Sequence, residues 1–253
     1  MFRKPAAFSA FAFLACVAVA SPAHAEWALR LGAGVAEASD TVLRDSSCEA
    51  VHPPALFGCG YRAKGAWGRA TAGELAVGNR LRPDLRIEIA AIFMRGFALD
   101  ANANFPRVST DQPVGAKLDS SALLAVAYWD PATTFGWKLG RFAPFVGAGV
   151  GAARHHLGAV TFRFPGISPT AVTLTRGGRE TDGAWLLTAG VAVSLADRVA
   201  LDVAYRRLDL GGAETDDGLA TIMRTTRTVQ IEVASMRARV RADELVAGVR
   251  FHW

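Results

Sequence analysis

Hydrophobic and polar positions alternate with period two along most of the chain after the first 25 residues. In the last segment Leu245, Ala247, Val249, Phe251 and Trp253 share one face, while Glu244, Gly248, Arg250 and His252 share the other, interrupted only by Val246. Leu201, Val203 and Tyr205 oppose Asp202, Ala204 and Arg206 in the same way. Further segments place Leu85, Ile87, Ile89 and Phe93 against Arg86, Glu88 and Ala90, and Trp27, Leu29, Leu31 and Val35 against Arg30, Gly32 and Gly34. Such alternation belongs to half-buried strands and not to helices. The pattern predicts strands over 26–37, 68–79, 85–97, 121–130, 144–156, 183–195, 199–210 and 241–253.

The chemistry of the two faces decides what surrounds them. One face is bulky and apolar; the other mixes glycine, alanine and scattered charges. A soluble antiparallel sheet turns its apolar face inward and needs a polar outer face. A soluble ligand-binding barrel is the alternative, but glycine and alanine make a poor outer face in water. Small residues and a few ions suit the interior of a narrow barrel, and the bulky face then points into lipid. The connections agree. Gaps 38–67, 98–120, 157–182 and 211–240 are long, whereas 80–84, 131–143 and 196–198 are shorter. Alternating long external loops and short periplasmic turns characterise transmembrane barrels. The expected fold is an all-β, eight-stranded antiparallel up-and-down transmembrane barrel, with Trp27 and Trp253 at the periplasmic rim and Trp185 at the outer one.

Residues 1–25 read as a secretory signal peptide: Arg3 and Lys4, the apolar stretch Phe11–Ala20, then the small-x-small site Ala23-His24-Ala25. Cleavage after Ala25 leaves residues 26–253 as the barrel domain. It removes two cations and no acid, which takes the net charge from +5 to +3. That balance, without a basic stripe, argues against nucleic acid as a partner. In an exported chain Cys48 and Cys59 are expected to form a disulfide, since a metal site there lacks convincing partners.

The leader, Pro144–Gly151 (PFVGAGVG), Tyr205–Gly211 (YRRLDLG) and the ending Glu244–Trp253 (ELVAGVRFHW) together resemble the opacity-type, porin-like outer-membrane proteins of Gram-negative bacteria. The resemblance covers the whole chain after the leader and implies a location in the outer membrane. In that family the C-terminal aromatic pattern is read by the barrel-assembly machinery, which would make Phe251 and Trp253 the assembly signal. Tryptophan stands last where phenylalanine is commoner. The family's motifs carry no catalytic residues and imply no cofactor.

Candidate chemistry is sparse. His155 and His156 read as loop-end histidines at the outer surface, and as strand neighbours they point to opposite faces, which defeats a shared metal. A lipid A deacylase would want serine two positions after a strand histidine, where Gly158 follows His156; no enzymatic activity, catalytic residue or metal site is expected. Parity turns Arg30, Glu74, Arg86, Glu88, Asp202, Arg206, Glu244 and Arg250 inward, where opposite charges should pair because an unpaired buried charge costs several kcal/mol. Strand-end charges in water are the bland reading, above all for Arg30 and Glu244. Arg237, Arg239 and Arg241 share the outward parity of Leu245, Val249 and Trp253. About ten residues cross the apolar band of about 25 Å, so these arginines emerge at the outer leaflet and become candidate contacts for lipopolysaccharide phosphates. A solvated strand tip is an equal alternative. Asp243 shares their face and would need a divalent cation to offset it. Two functions remain: a structural or surface-interaction barrel (envelope integrity, adhesin-like) that could meet an external ligand through its loops, or a narrow porin or transporter for small solutes.

Overall fold

The computed structural model describes residues 26–104 and 111–253; the leader expected over 1–25 lies outside them. Eight long strands carry the architecture: β1 (Glu26–Ala38), β4 (Gly68–Arg82), β5 (Leu85–Ala103), β6 (Pro113–Trp129), β7 (Phe142–Leu157), β10 (Gly178–Ala196), β11 (Val199–Glu214) and β14 (Met236–His252). Each pairs antiparallel with the next in this order. The ring closes where β1 meets β14, from Ala28 opposite His252 to Glu37 opposite Asp243. Trp27 and Trp253 exchange backbone hydrogen bonds at the seam, at 3.2 and 3.1 Å. Closure removes both sheet edges, so all eight long strands are paired on both sides, as a bilayer demands. This is a closed up-and-down barrel.

At one end the strands are joined by tight connections after Arg82 and Ala196, and by a turn that holds the short helix α1 (Pro131–Phe135). Asp130 caps α1 by accepting from the Thr133 N–H at 3.1 Å, proline occupies its first turn, and Gly136 ends it at φ 67°. The other end differs from the expectation of plain loops. The long strands run several residues beyond the predicted ends, and six short strands extend the wall: β2 (Thr41–Asp45), β3 (Ala63–Ala66), β8 (Val160–Arg163), β9 (Val172–Thr175), β12 (Gly218–Met223) and β13 (Thr228–Val233). Their backbone groups pair with one another and with the tips of β5, β6 and β14. Segments as brief as Val172–Thr175 are too short for alternation to stand out.

Outward parity places large apolar side chains around the middle of the wall. Leu245, Val150 and Leu187 are 63%, 68% and 53% exposed, and Leu31, Leu75, Ile89, Phe93, Leu123 and Val203 continue the belt. A continuous apolar belt is far larger than the patch a soluble monomer presents to water, and lipid is the solvent that suits it. No helix of the described residues is long and apolar enough to cross a membrane; strands do the crossing. Trp27 and Trp253 lie exposed at the periplasmic seam and Trp185 on the outer half of the wall.

The interior divides into two levels. The lower one holds charges among small residues. The upper one is an apolar core that includes Ile92, Met94, Phe97, Leu118, Leu157 and Leu208, with Trp67 fully buried. Trp67 is therefore not part of any girdle. Its backbone N–H donates to the Ala38 carbonyl at 2.9 Å and its own carbonyl accepts from the Ala98 N–H at 2.8 Å, which ties the β3–β4 corner to β1 on one side and β5 on the other.

Candidate functional site: the lumen and the outer rim

Four arginines and four carboxylates occupy the lower lumen, all with relative exposure of 9% or less. Arg30, from β1, places Nη2 2.7 Å from Glu74 Oε1, 2.6 Å from Glu88 Oε2 and 2.7 Å from the Tyr128 hydroxyl. Arg86 Nε lies 2.6 Å from Glu88 Oε1, with its guanidinium 4.3 Å from the centre of the Tyr128 ring. Arg206 donates to Glu74 at 2.5 Å and to Glu244 at 3.4 Å. Arg250 meets Asp202 at 3.1 Å. Six groups thus form one chain of alternating sign, and Arg250–Asp202 stands beside it as a separate pair.

Glycines make the room. Gly78 faces Glu88 in register, and a Cβ there would lie 2.4 Å from Glu88 Cγ. Gly32 faces Glu74, and Gly248 faces Asp202. In a narrow lumen each long charged side chain needs a missing one opposite. Tyr128 is the member that sequence reasoning missed. Its inward parity on β6 was available, but a tyrosine near a strand end reads first as a rim aromatic.

Above the charges the lumen is capped. The Asp45 carboxylate accepts from the N–H groups of Leu56, Phe57 and Gly58 at 3.1, 3.0 and 2.8 Å, and Cys48 and Cys59 are joined in a disulfide within the same loop. This turns Phe57 onto Phe162 at 4.9 Å between ring centroids and onto Phe164 at 6.4 Å. The space left beside Leu43, Phe57 and Met236 is about 10 Å³. At the periplasmic mouth, among Arg80, Arg86, Tyr128 and Arg250, it is about 40 Å³, room for one or two waters.

His155 corrects the sequence reading. It is not a loop-end surface residue; it is 1% exposed, inside the barrel. Its Nε2 lies 2.8 Å from the Leu210 carbonyl, which fixes the proton there, and Nδ1 then accepts from the Ser120 hydroxyl at 2.9 Å. The pair satisfies itself between β6 and β7, with a carbonyl where a hydrolase would place a carboxylate. His156 points outward and accepts at Nδ1 from Arg179 Nε at 3.1 Å. The parity of β7 alone could have separated the two.

Arg237, Arg239 and Arg241 point outward from an unbroken β14. The irregularity lies on β11, between Asp209 and Gly212. The ladder carries its own counter-charge: Asp209, almost fully covered, binds Arg239 at 2.8 Å and Arg241 at 3.1 Å, and Asp182 pairs with Arg237. Asp243 needs no divalent cation to offset it, because Arg207 and the Tyr205 hydroxyl hold it.

No family model matches the chain, and no curated protein matches it. Solved structures do. The outer membrane protein OprG of Pseudomonas aeruginosa is similar at 14% identity and TM-score 0.49, covering 90% of this chain and 96% of that one. The closed ring of eight strands and its apolar outer belt are by themselves the fold of a small transmembrane β-barrel. The outer membrane protease OmpT of Escherichia coli is similar at 6% identity and TM-score 0.46, covering 90% of this chain and 97% of that one. Neisserial surface protein A follows at 17% identity and TM-score 0.43, covering 88% of this chain and 97% of that one. A fold does not by itself fix a function, and the function of this barrel has to come from its own side chains.

Proposed function

We propose that this chain is an outer-membrane barrel with a structural or surface-interaction role, without catalysis and without a solute path through its lumen. One observation carries the reading: the lumen is filled at two levels, by a salt-bridged layer below and an apolar core beneath the disulfide-bearing cap above. A pore would need a continuous wet path, and eight-stranded barrels have room for little more than their own side chains. The partners that fit are the lipid and lipopolysaccharide around the belt, the barrel-assembly machinery at Phe251 and Trp253, and external ligands at the extended loops. Donors of Arg237, Arg239 and Arg241 left over after Asp182 and Asp209 can reach headgroups.

In cells the protein is expected to fractionate with the outer membrane, beginning at Glu26, and to migrate differently on a gel before and after boiling. Closed barrels keep every strand edge paired, so cold detergent leaves them folded. Recovery from the cytosol, or from the inner membrane with the leader attached, would defeat the reading.

A further inference from the structure

Arg95, Arg154 and Arg179 all point outward on the wall formed by β5, β6, β7 and β10. They line a shallow concavity of about 380 Å³ with His156, Asp119 and Ser121. Register brings them there. Arg154 on β7 pairs with Ser121 on one side and Thr181 on the other, and Arg179 pairs with His156. Arg95 is aimed by an irregularity in β5, between Met94 and Phe97, where Gly96 takes φ 96° and gives its N–H to Asp119 Oδ1 at 3.0 Å. Bulges re-aim side chains in this way beside binding sites.

The charge balance separates this wall from the ladder on β14. There, three arginines share two aspartates. Here three arginines face a single carboxylate, Asp119, which already accepts from the backbone, and none of the three stands in an ion pair among the described residues. Phe93, Leu123 and Val150 lie exposed on the belt alongside the cluster. Guanidinium groups match phosphate oxygens in bidentate geometry; Arg179 gives its Nε to the neutral acceptor His156 Nδ1 at 3.1 Å, and no carboxylate neutralises any of the three among the described residues.

We infer that Arg95, Arg154 and Arg179 form a binding site for the phosphate of an acylated glycolipid of the outer leaflet, with its chains along Phe93, Leu123 and Val150. The ligand class is phosphorylated lipid A. This rests on the outer-membrane reading above, and it makes this wall, more than the Arg237–Arg241 ladder, the lipopolysaccharide contact.

The test uses the full barrel refolded in detergent and titrated separately with bis-phosphorylated lipid A, dephosphorylated lipid A and inorganic phosphate. The R95Q/R154Q/R179Q variant should bind phosphorylated lipid A at least about tenfold more weakly, the equivalent of one or more lost charge-assisted contacts. The R237Q/R239Q/R241Q variant should lose no more than about threefold. Dephosphorylated lipid A should bind wild type and both variants alike, and inorganic phosphate should not displace the lipid. Unchanged binding in the first variant, a larger loss in the second, or displacement by free phosphate would each overturn the inference. R154Q alone, checked for folding by gel shift, serves if the triple variant does not refold and should retain a loss of about threefold or more. Refolded protein reports on the site wherever the chain resides in cells, so failure here and failure of fractionation are separate results.

Discussion

Replacing Arg30 with methionine is expected to destabilise the barrel by about 3–5 kcal/mol, the cost of breaking a buried ion pair from one side. The substitution removes the shared partner of Glu74, Glu88 and Tyr128 and leaves the lumen with one carboxylate too many. Arg206 and Arg86 remain on the two glutamates, so the barrel should still fold. Adding E88Q restores neutrality, and the double variant should recover about 1–3 kcal/mol of the loss, a coupling usual for groups in one network. Urea unfolding of the protein in phospholipid bilayers, followed by tryptophan fluorescence, measures both. A single-variant loss below about 1 kcal/mol would mean that the charges are solvated and the layer is wet.

Trp67→Ala should cost a similar amount, about 3–5 kcal/mol, as a fully buried aromatic truncated in a packed core. Trp185→Ala supplies the contrast. That ring is 40% exposed on the outer wall, so its loss should remain near 1 kcal/mol. The same unfolding experiment compares the two. Equal losses would mean that Trp67 is no better packed than an interfacial girdle residue and that the barrel has no upper core.

These two residues also show what the sequence made legible. Period-two alternation gave the eight long strands, and parity alone assigned Arg30, Glu74 and the other inward charges to one face, because in a strand side-chain direction is fixed by backbone geometry. Who pairs with whom was not legible. Arg206 on β11 reaches Glu74 on β4 across 132 positions of sequence, and closure of β14 onto β1 brings them together. The upper core was hidden for a different reason. Leu118 and Leu157 lie in stretches that read as loop or loop edge, so their bulk carried no facing information until the strands were seen to extend outward. His155 failed similarly, since a histidine pair at an apparent strand end looks exposed when the strand continues beyond it. The aspartates beneath the Arg237–Arg241 ladder come from β10 and β11, and one of them is placed by an irregularity that no alternation rule anticipates.

Planar-bilayer recording of the purified, folded barrel decides whether its lumen is filled. With the filled lumen the membrane should stay silent, without unitary current steps, and R30M, which disturbs the charged layer but leaves the cap of Asp45 and Phe57 in place, should be silent as well. Reproducible steps from the wild-type barrel, altered in ion selectivity by R30M, would contradict it and make the chain a narrow porin.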